Sequence, residues 1–104
     1  MYKTFLEYVD LIIKHDKRML PGFYHLAYEL PGGDIGAEFY SGFAYGYDLD
    51  EPEETRHQRA YEATSKKMKE FFDAAAARSV QAVLLQKNED NKIIILHQKL
   101  PESV

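Results

Sequence analysis

The stretch IGAEFYSGFAYGYDL (Ile35–Leu49) alternates. Its odd positions, Ile35, Ala37, Phe39, Phe43, Tyr45, Tyr47 and Leu49, are apolar or aromatic, with Ser41 the one exception. Its even positions, Gly36, Glu38, Tyr40, Gly42, Ala44, Gly46 and Asp48, are mostly small or acidic. A period of two is the mark of a strand with one covered face. A helix would gather Ile35, Phe39 and Phe43 on one side, but glycines at 36, 42 and 46 would each cost it about 1 kcal/mol relative to alanine. The spacing therefore predicts a strand over 35–49, with the odd side chains in a core. On the even face the glycines and Ala44 would leave a shallow trough beside Tyr40. Glycine weakens a strand unless something approaches closely. A helix of the same chain is the commoner cause, and a partner molecule is the alternative.

Outward from this stretch, elements of both kinds appear. FYHLAYEL (Phe23–Leu30) alternates in the same way, and Pro31-Gly32-Gly33-Asp34 supplies turn chemistry between the two predicted strands, 23–30 and 35–49. Upstream, Thr4-Phe5-Leu6-Glu7 has the form of a capping box, and Phe5, Val9, Ile12 and Ile13 follow at helical spacing. A helix over 3–19 is expected, stopped by Leu20-Pro21-Gly22. Downstream, His57, Tyr61, Thr64, Met68, Phe71, Phe72 and Ala75 form one stripe of a helix over 52–78. Asp50 or Glu51 is its expected cap, and acids cluster at its positive end. VQAVLLQK and KIIILHQKL flank the polar loop Asn88-Glu89-Asp90-Asn91, a hairpin pattern predicting strands over 80–87 and 92–100. A frayed tail is expected at 101–104. The expected fold is a single α+β domain in the order α-β-β-α-β-β, a four-stranded, mostly antiparallel sheet with both helices packed mainly on one face.

Bulk composition narrows the function classes. The 104 residues suit one domain, and 45% hydrophobic with 29% charged residues is ordinary for a globule. There is no cysteine, which removes disulfides, thiolate metal sites and thiol nucleophiles. Glu7 and Asp10 interrupt the N-terminal stretch where a signal peptide would need an apolar run, and no run approaches a membrane span, so a cytoplasmic address without a membrane role is expected. The net charge of −4 comes from one place: Asp48-Leu49-Asp50-Glu51-Pro52-Glu53-Glu54 holds five acids, and the rest of the chain has 12 acids against 13 bases. A nucleic-acid binder would show the opposite sign.

Motifs for chemistry are lacking. Glu53 and His57 share a helix face at i,i+4, but no third ligand follows, and an exposed pair is the ordinary meaning of that spacing. His97 alternates with Ile93 and Ile95 as a sheet residue, His15 ends a polar helical turn, and His25 lies opposite the Tyr24/Leu26 face. Ser41 lies in no G-x-S-x-G elbow, and Gly32-Gly33 in no phosphate loop. The acids at 48–54 read as a solvated helix start. No catalytic residue, metal or cofactor is expected.

Aromatic enrichment is the remaining signal. Eight tyrosines occur without a tryptophan, and Tyr40, Tyr45 and Tyr47 lead directly into the acids. Tyrosine offers a large rigid face with a polar tip, and carboxylates steer and pair lysine or arginine. Tyr40, Tyr45, Tyr47, Asp48, Asp50, Glu51, Glu53, Glu54 and His57 are therefore the candidate partner-binding residues. The small size, the missing cysteine and active site, and the run Tyr45-x-Tyr47-Asp48-x-Asp50-Glu51 resemble, in general character, bacterial immunity proteins that neutralise toxin domains, including those of contact-dependent inhibition systems. The resemblance implies a one-to-one complex with a cognate basic toxin, commonly a nuclease, whose cleft is covered while the carboxylates stand in for substrate phosphates. Two alternatives stay open. One is a small enzyme or ligand binder with a pocket between sheet and helices, using the glycine trough and His25 or His97. The other is a homo-oligomeric structural protein pairing through an edge such as Lys92–Lys99.

Overall fold

The structure, a computed structural model, describes residues 4–100. The expected helix start at residue 3 and the expected frayed tail at 101–104 lie outside the described residues. Thr4 opens the first helix as its capping pattern predicts, its hydroxyl accepting the Glu7 N–H at 3.1 Å. Helix α1 (Phe5–His15) buries Phe5, Val9 and Ile12. It stops short of the expected residue 19, and Asp16 is the reason. The Asp16 carboxylate takes the Arg18 backbone N–H at 2.7 Å and its guanidinium at 3.2 and 3.3 Å, closing a local turn that competes with the helical ladder. Met19 then folds inward and is buried.

Strands β1 (Tyr24–Glu29) and β2 (Ile35–Tyr40), helix α2 (Glu53–Arg78), and strands β3 (Gln81–Lys87) and β4 (Ile93–Lys99) follow, giving the order α-β-β-α-β-β. The four strands form one sheet in the order β2-β1-β3-β4, every neighbour antiparallel. In the first hairpin Leu30 N–H donates to the Asp34 carbonyl at 2.8 Å. In the second, the Asn88 side-chain oxygen accepts the N–H groups of Asp90 and Lys92, both at 3.0 Å. Among the described residues no helix is long and apolar enough to cross a membrane.

The helices do not share a face. Tyr24 and Leu26 of β1, with Ala82 and Leu84 of β3, pack against Met68, Phe72 and Ala75 of α2. Their alternates, Ala27, Val83 and Leu85, pack against Phe5, Val9 and Ile12 of α1. Successive side chains of a strand point to opposite faces, so α1 and α2 cover opposite sides of the sheet. The expectation of one shared face is overturned because β1 and β3 sit in the middle of the sheet and carry apolar residues at both parities. The run Ala82-Val83-Leu84-Leu85 is the signature of a strand buried on both faces.

A bulge between Leu84 and Leu85 changes the parity of β4. Ile95 stands opposite Leu85, whereas His97 stands opposite Leu84, so Ile95 faces α1 and His97 faces α2. The ring of His97 lies on Phe72, centroids 5.5 Å apart. His97 is a sheet residue as expected, but it does not share a face with Ile93 and Ile95. From the end of β4, the Lys99 ammonium donates to the carbonyls of Ala76 (2.8 Å) and Ser79 (2.6 Å), satisfying the last turn of α2.

Helix α2 overhangs the sheet. Its 26 residues span about 39 Å, whereas strands of six or seven residues span about 20–24 Å. Met68, Phe72 and Ala75 use up the sheet contact. Ala60 and Thr64 continue the buried stripe beyond it and need another cover.

Because the two cores lie on opposite sides of the sheet, truncations in them should act independently. Ile12→Val should cost about 0.5–1.5 kcal/mol and Met68→Ala about 2–5 kcal/mol. In urea unfolding the double variant should lose their sum to within about 0.5 kcal/mol; a much larger coupling would mean one shared core.

Candidate functional site

The cover for the overhanging helix is the second half of the stretch expected to be a strand. Strand β2 ends at Tyr40, and residues 41–52 form a loop rather than continuing to 49. The pairing partner runs out: Tyr40 stands opposite Tyr24, where β1 begins. Ser41, the one break in the odd alternation, then closes a turn. Its hydroxyl accepts the Phe43 N–H at 3.2 Å and its carbonyl the Ala44 N–H at 3.2 Å. The loop docks on α2 through Thr64, fully buried, whose hydroxyl accepts the Tyr45 N–H (2.9 Å) and donates to the Tyr45 carbonyl (3.3 Å).

The glycines show why the loop can lie so close. Gly46 has φ +72°, a conformation that side chains rarely adopt, and a Cβ there would collide with Ala63 of α2. A Cβ on Gly42 would sit 2.7 Å from the Gly22 carbonyl oxygen. A Cβ on Gly36 would run into the Tyr28 ring, which lies across it from β1. The trough expected on the even face is therefore filled by the chain's own groups. The odd face of β2 is no core either: Ile35 is half-buried, and Ala37 and Phe39 are exposed, because α1 lies over β1, β3 and β4.

The candidate residues separate into groups. Tyr40 and Tyr45 turn inward, half-buried, with ring centroids 5.6 and 5.8 Å from Phe71. Burial, reinforced by the Glu38 carboxylate, pushes the Tyr40 phenol above its ordinary value. Tyr47 and His57 meet in the open, hydroxyl to Nε2 at 3.0 Å. Asp48 folds its carboxylate onto the Asp50 N–H at 2.9 Å. Glu51 pairs with Arg59. Glu53 and Glu54 stand exposed in the first turn of α2. The expected cap by Asp50 or Glu51 is not used: Pro52 holds the N-cap position without a side-chain bond, and its carbonyl takes the N–H groups of Thr55 and Arg56 at 3.0 Å each. Among the described residues no group of three histidine, aspartate or glutamate side chains is placed to hold a metal ion.

Sequence reasoning missed Phe43. Assigned to the core by its odd position, it is 47% exposed and lies 5.2 Å from the His57 ring, 6.3 Å from Tyr61 and 6.5 Å from Tyr47. Two hollows flank this cluster and share Gln58. One, about 600 Å³, is lined by Glu51, Glu54, Arg59 and Glu62. The other, about 540 Å³, runs between Phe43, His57 and Tyr61 and the β3–β4 turn. The Ser41 turn was the available signal, since a strand ending there frees Phe43 from the alternation.

His25 lies elsewhere, beneath α1. It is fully buried, shares a 3.0 Å hydrogen bond with the Tyr8 hydroxyl, and meets the edge of Phe39 at 4.2 Å. Burial pulls it from the ordinary 6.5 down to about 4; the Asp16 carboxylate pulls back, and Arg18 pushes it lower. Burial also works to raise Asp16, but the Arg18 hydrogen bonds outweigh it and hold that carboxyl below its usual value. No family model, curated protein or solved structure matches the chain.

A histidine held neutral sets a pH dependence. Between pH 6.5 and about 4 the unfolded chain takes up a proton at His25 that the folded chain does not. Stability is then complete above pH 6.5 and falls as the pH drops towards 4, by about 3 kcal/mol at most. Urea unfolding across this range should show that loss, and His25→Gln should flatten it. An unchanged slope in the variant would place the effect elsewhere.

Proposed function

We propose that this protein is a binding module that engages a basic partner protein through the surface built by the 41–52 loop and the first half of α2. The observation that carries this reading is the meeting of Phe43, Tyr47, His57 and Tyr61 beside exposed Glu53, Glu54 and Glu62. Exposed aromatics supply contact area that can be desolvated, and carboxylates around them steer a cationic partner and set its register. Tyr40 and Tyr45 hold the loop in place from inside, while Phe43 and Tyr47 meet the partner. In this reading the protein acts as an immunity-type inhibitor in the cytoplasm. Its partner is a cognate basic toxin domain such as a nuclease, and its carboxylates occupy the sites of substrate phosphates. The cysteine-free composition and the single acidic run support it. No cofactor or metal takes part.

The test is kinetic. The wild-type chain, used as bait in its native cell, should capture a basic protein one to one. Replacing Glu53 and Glu54 by lysine should slow association about tenfold at low salt, an effect that shrinks as salt is added. Truncating Phe43 or Tyr47 to alanine should instead act mainly on dissociation. An association rate indifferent to the charge change removes the carboxylates from the interface.

A further inference from the structure

The hollow of about 540 Å³ beside Phe43 has a chemistry narrower than that of the surface around it. It is lined by the aromatic residues Phe43, His57 and Tyr61, by Gln58 and Gln86, and by Glu89. Both amides already spend a donor within the chain. Gln58 Nε2 donates to the Glu62 carboxylate at 2.8 Å, and since a carboxylate only accepts, this fixes which way the amide is turned. Gln86 Nε2 donates to the Tyr61 hydroxyl. Each amide keeps its carbonyl oxygen, along with one N–H, and Glu89 adds two more acceptors in the exposed turn. Lys87 also borders the hollow, but by alternation its side chain falls with Val83 and Leu85 on the α1 side, where it borders a second hollow with Lys14 and Asp16. The adjoining hollow adds Glu54 and Glu62, while its one cation, Arg59, pairs with Glu51.

Aromatic side chains, acceptor oxygens and an excess of negative charge suit a flat cation with several N–H donors. The geometry points to this hollow as a pocket for one arginine side chain presented by the partner protein, the guanidinium lying on Phe43 and donating to Gln58, Gln86 and Glu89. This rests on the reading of a basic partner. Guanidinium stacks on aromatic faces and spreads its donors in a plane, whereas an ammonium is a compact point charge, so arginine is favoured over lysine here.

The probe is N-acetyl-arginine methylamide, titrated into the isotope-labelled protein without any partner. Amide signals of Phe43, Gln58, Tyr61 and Glu89 should shift and saturate in the millimolar range, with those of β4 unmoved. The neutral citrulline analogue should bind at least about tenfold more weakly, and the lysine analogue several-fold more weakly. Phe43→Ala and Glu89→Gln, both at exposed positions, should each weaken arginine binding about three- to tenfold. Absence of saturable shifts, or equal binding of citrulline, overturns the pocket even if a basic protein is captured. Arginine binding to the isolated chain sustains the pocket even if no such partner is found.

Discussion

Two strands in the middle of the sheet must be covered on both sides. Strands β1 and β3 carry apolar side chains at both parities, so neither face of them can be left to water at a tolerable free-energy cost. That constraint puts α1 and α2 on opposite faces and leaves β2 and β4 as edges. It also gives each helix its own core, small and separate. The shorter helix needs only Phe5, Val9 and Ile12 to close its side. The longer one outruns the sheet and must find cover for Ala60 and Thr64 elsewhere.

The loop that provides the cover makes the surface. Thr64 holds Tyr45 by both its N–H and its carbonyl, Gly46 lets the backbone press against Ala63, and the rings of Tyr40 and Tyr45 close over Phe71. With its centre fastened, the loop carries Phe43 and Tyr47 to the outer side of the helix, where His57 and Tyr61 already stand. One segment thus completes the core with some of its aromatics and builds an exposed cluster with others. The acids that follow serve the helix start and the surface together, because Glu53 and Glu54 favour the positive end of α2 while remaining in solvent.

The two histidines with tyrosine partners show how position decides chemistry. His25 and His57 each share a hydrogen bond with a phenol at 3.0 Å. His25 is enclosed between α1 and Phe39, so its charged form is expelled and the ring is a packing group. His57 is exposed at the rim of the aromatic hollow, open to solvent. The pairing is the same, and only the surroundings separate a buried packing group from an exposed one.

The element order and the antiparallel hairpins were readable from the chain, because periodicity and turn residues are local properties. Thr4, the polar β3–β4 loop and the stripe from Tyr61 to Ala75 each mean the same thing wherever they occur. Three features were not readable in this way. Strand β2 stops at Tyr40 because β1 offers no partner beyond Tyr24, a matter of register between distant segments. His97 parts from Ile93 and Ile95 because a bulge shifts β4 by one residue. The helices lie on opposite faces because β1 and β3 became central, although the unbroken apolar run in β3 hinted at it. Sequence by itself determined the order of helices and strands and that the charge is gathered at 48–54. Only the tertiary structure decided which aromatics face water, since that depends on which surfaces the remaining chain leaves uncovered.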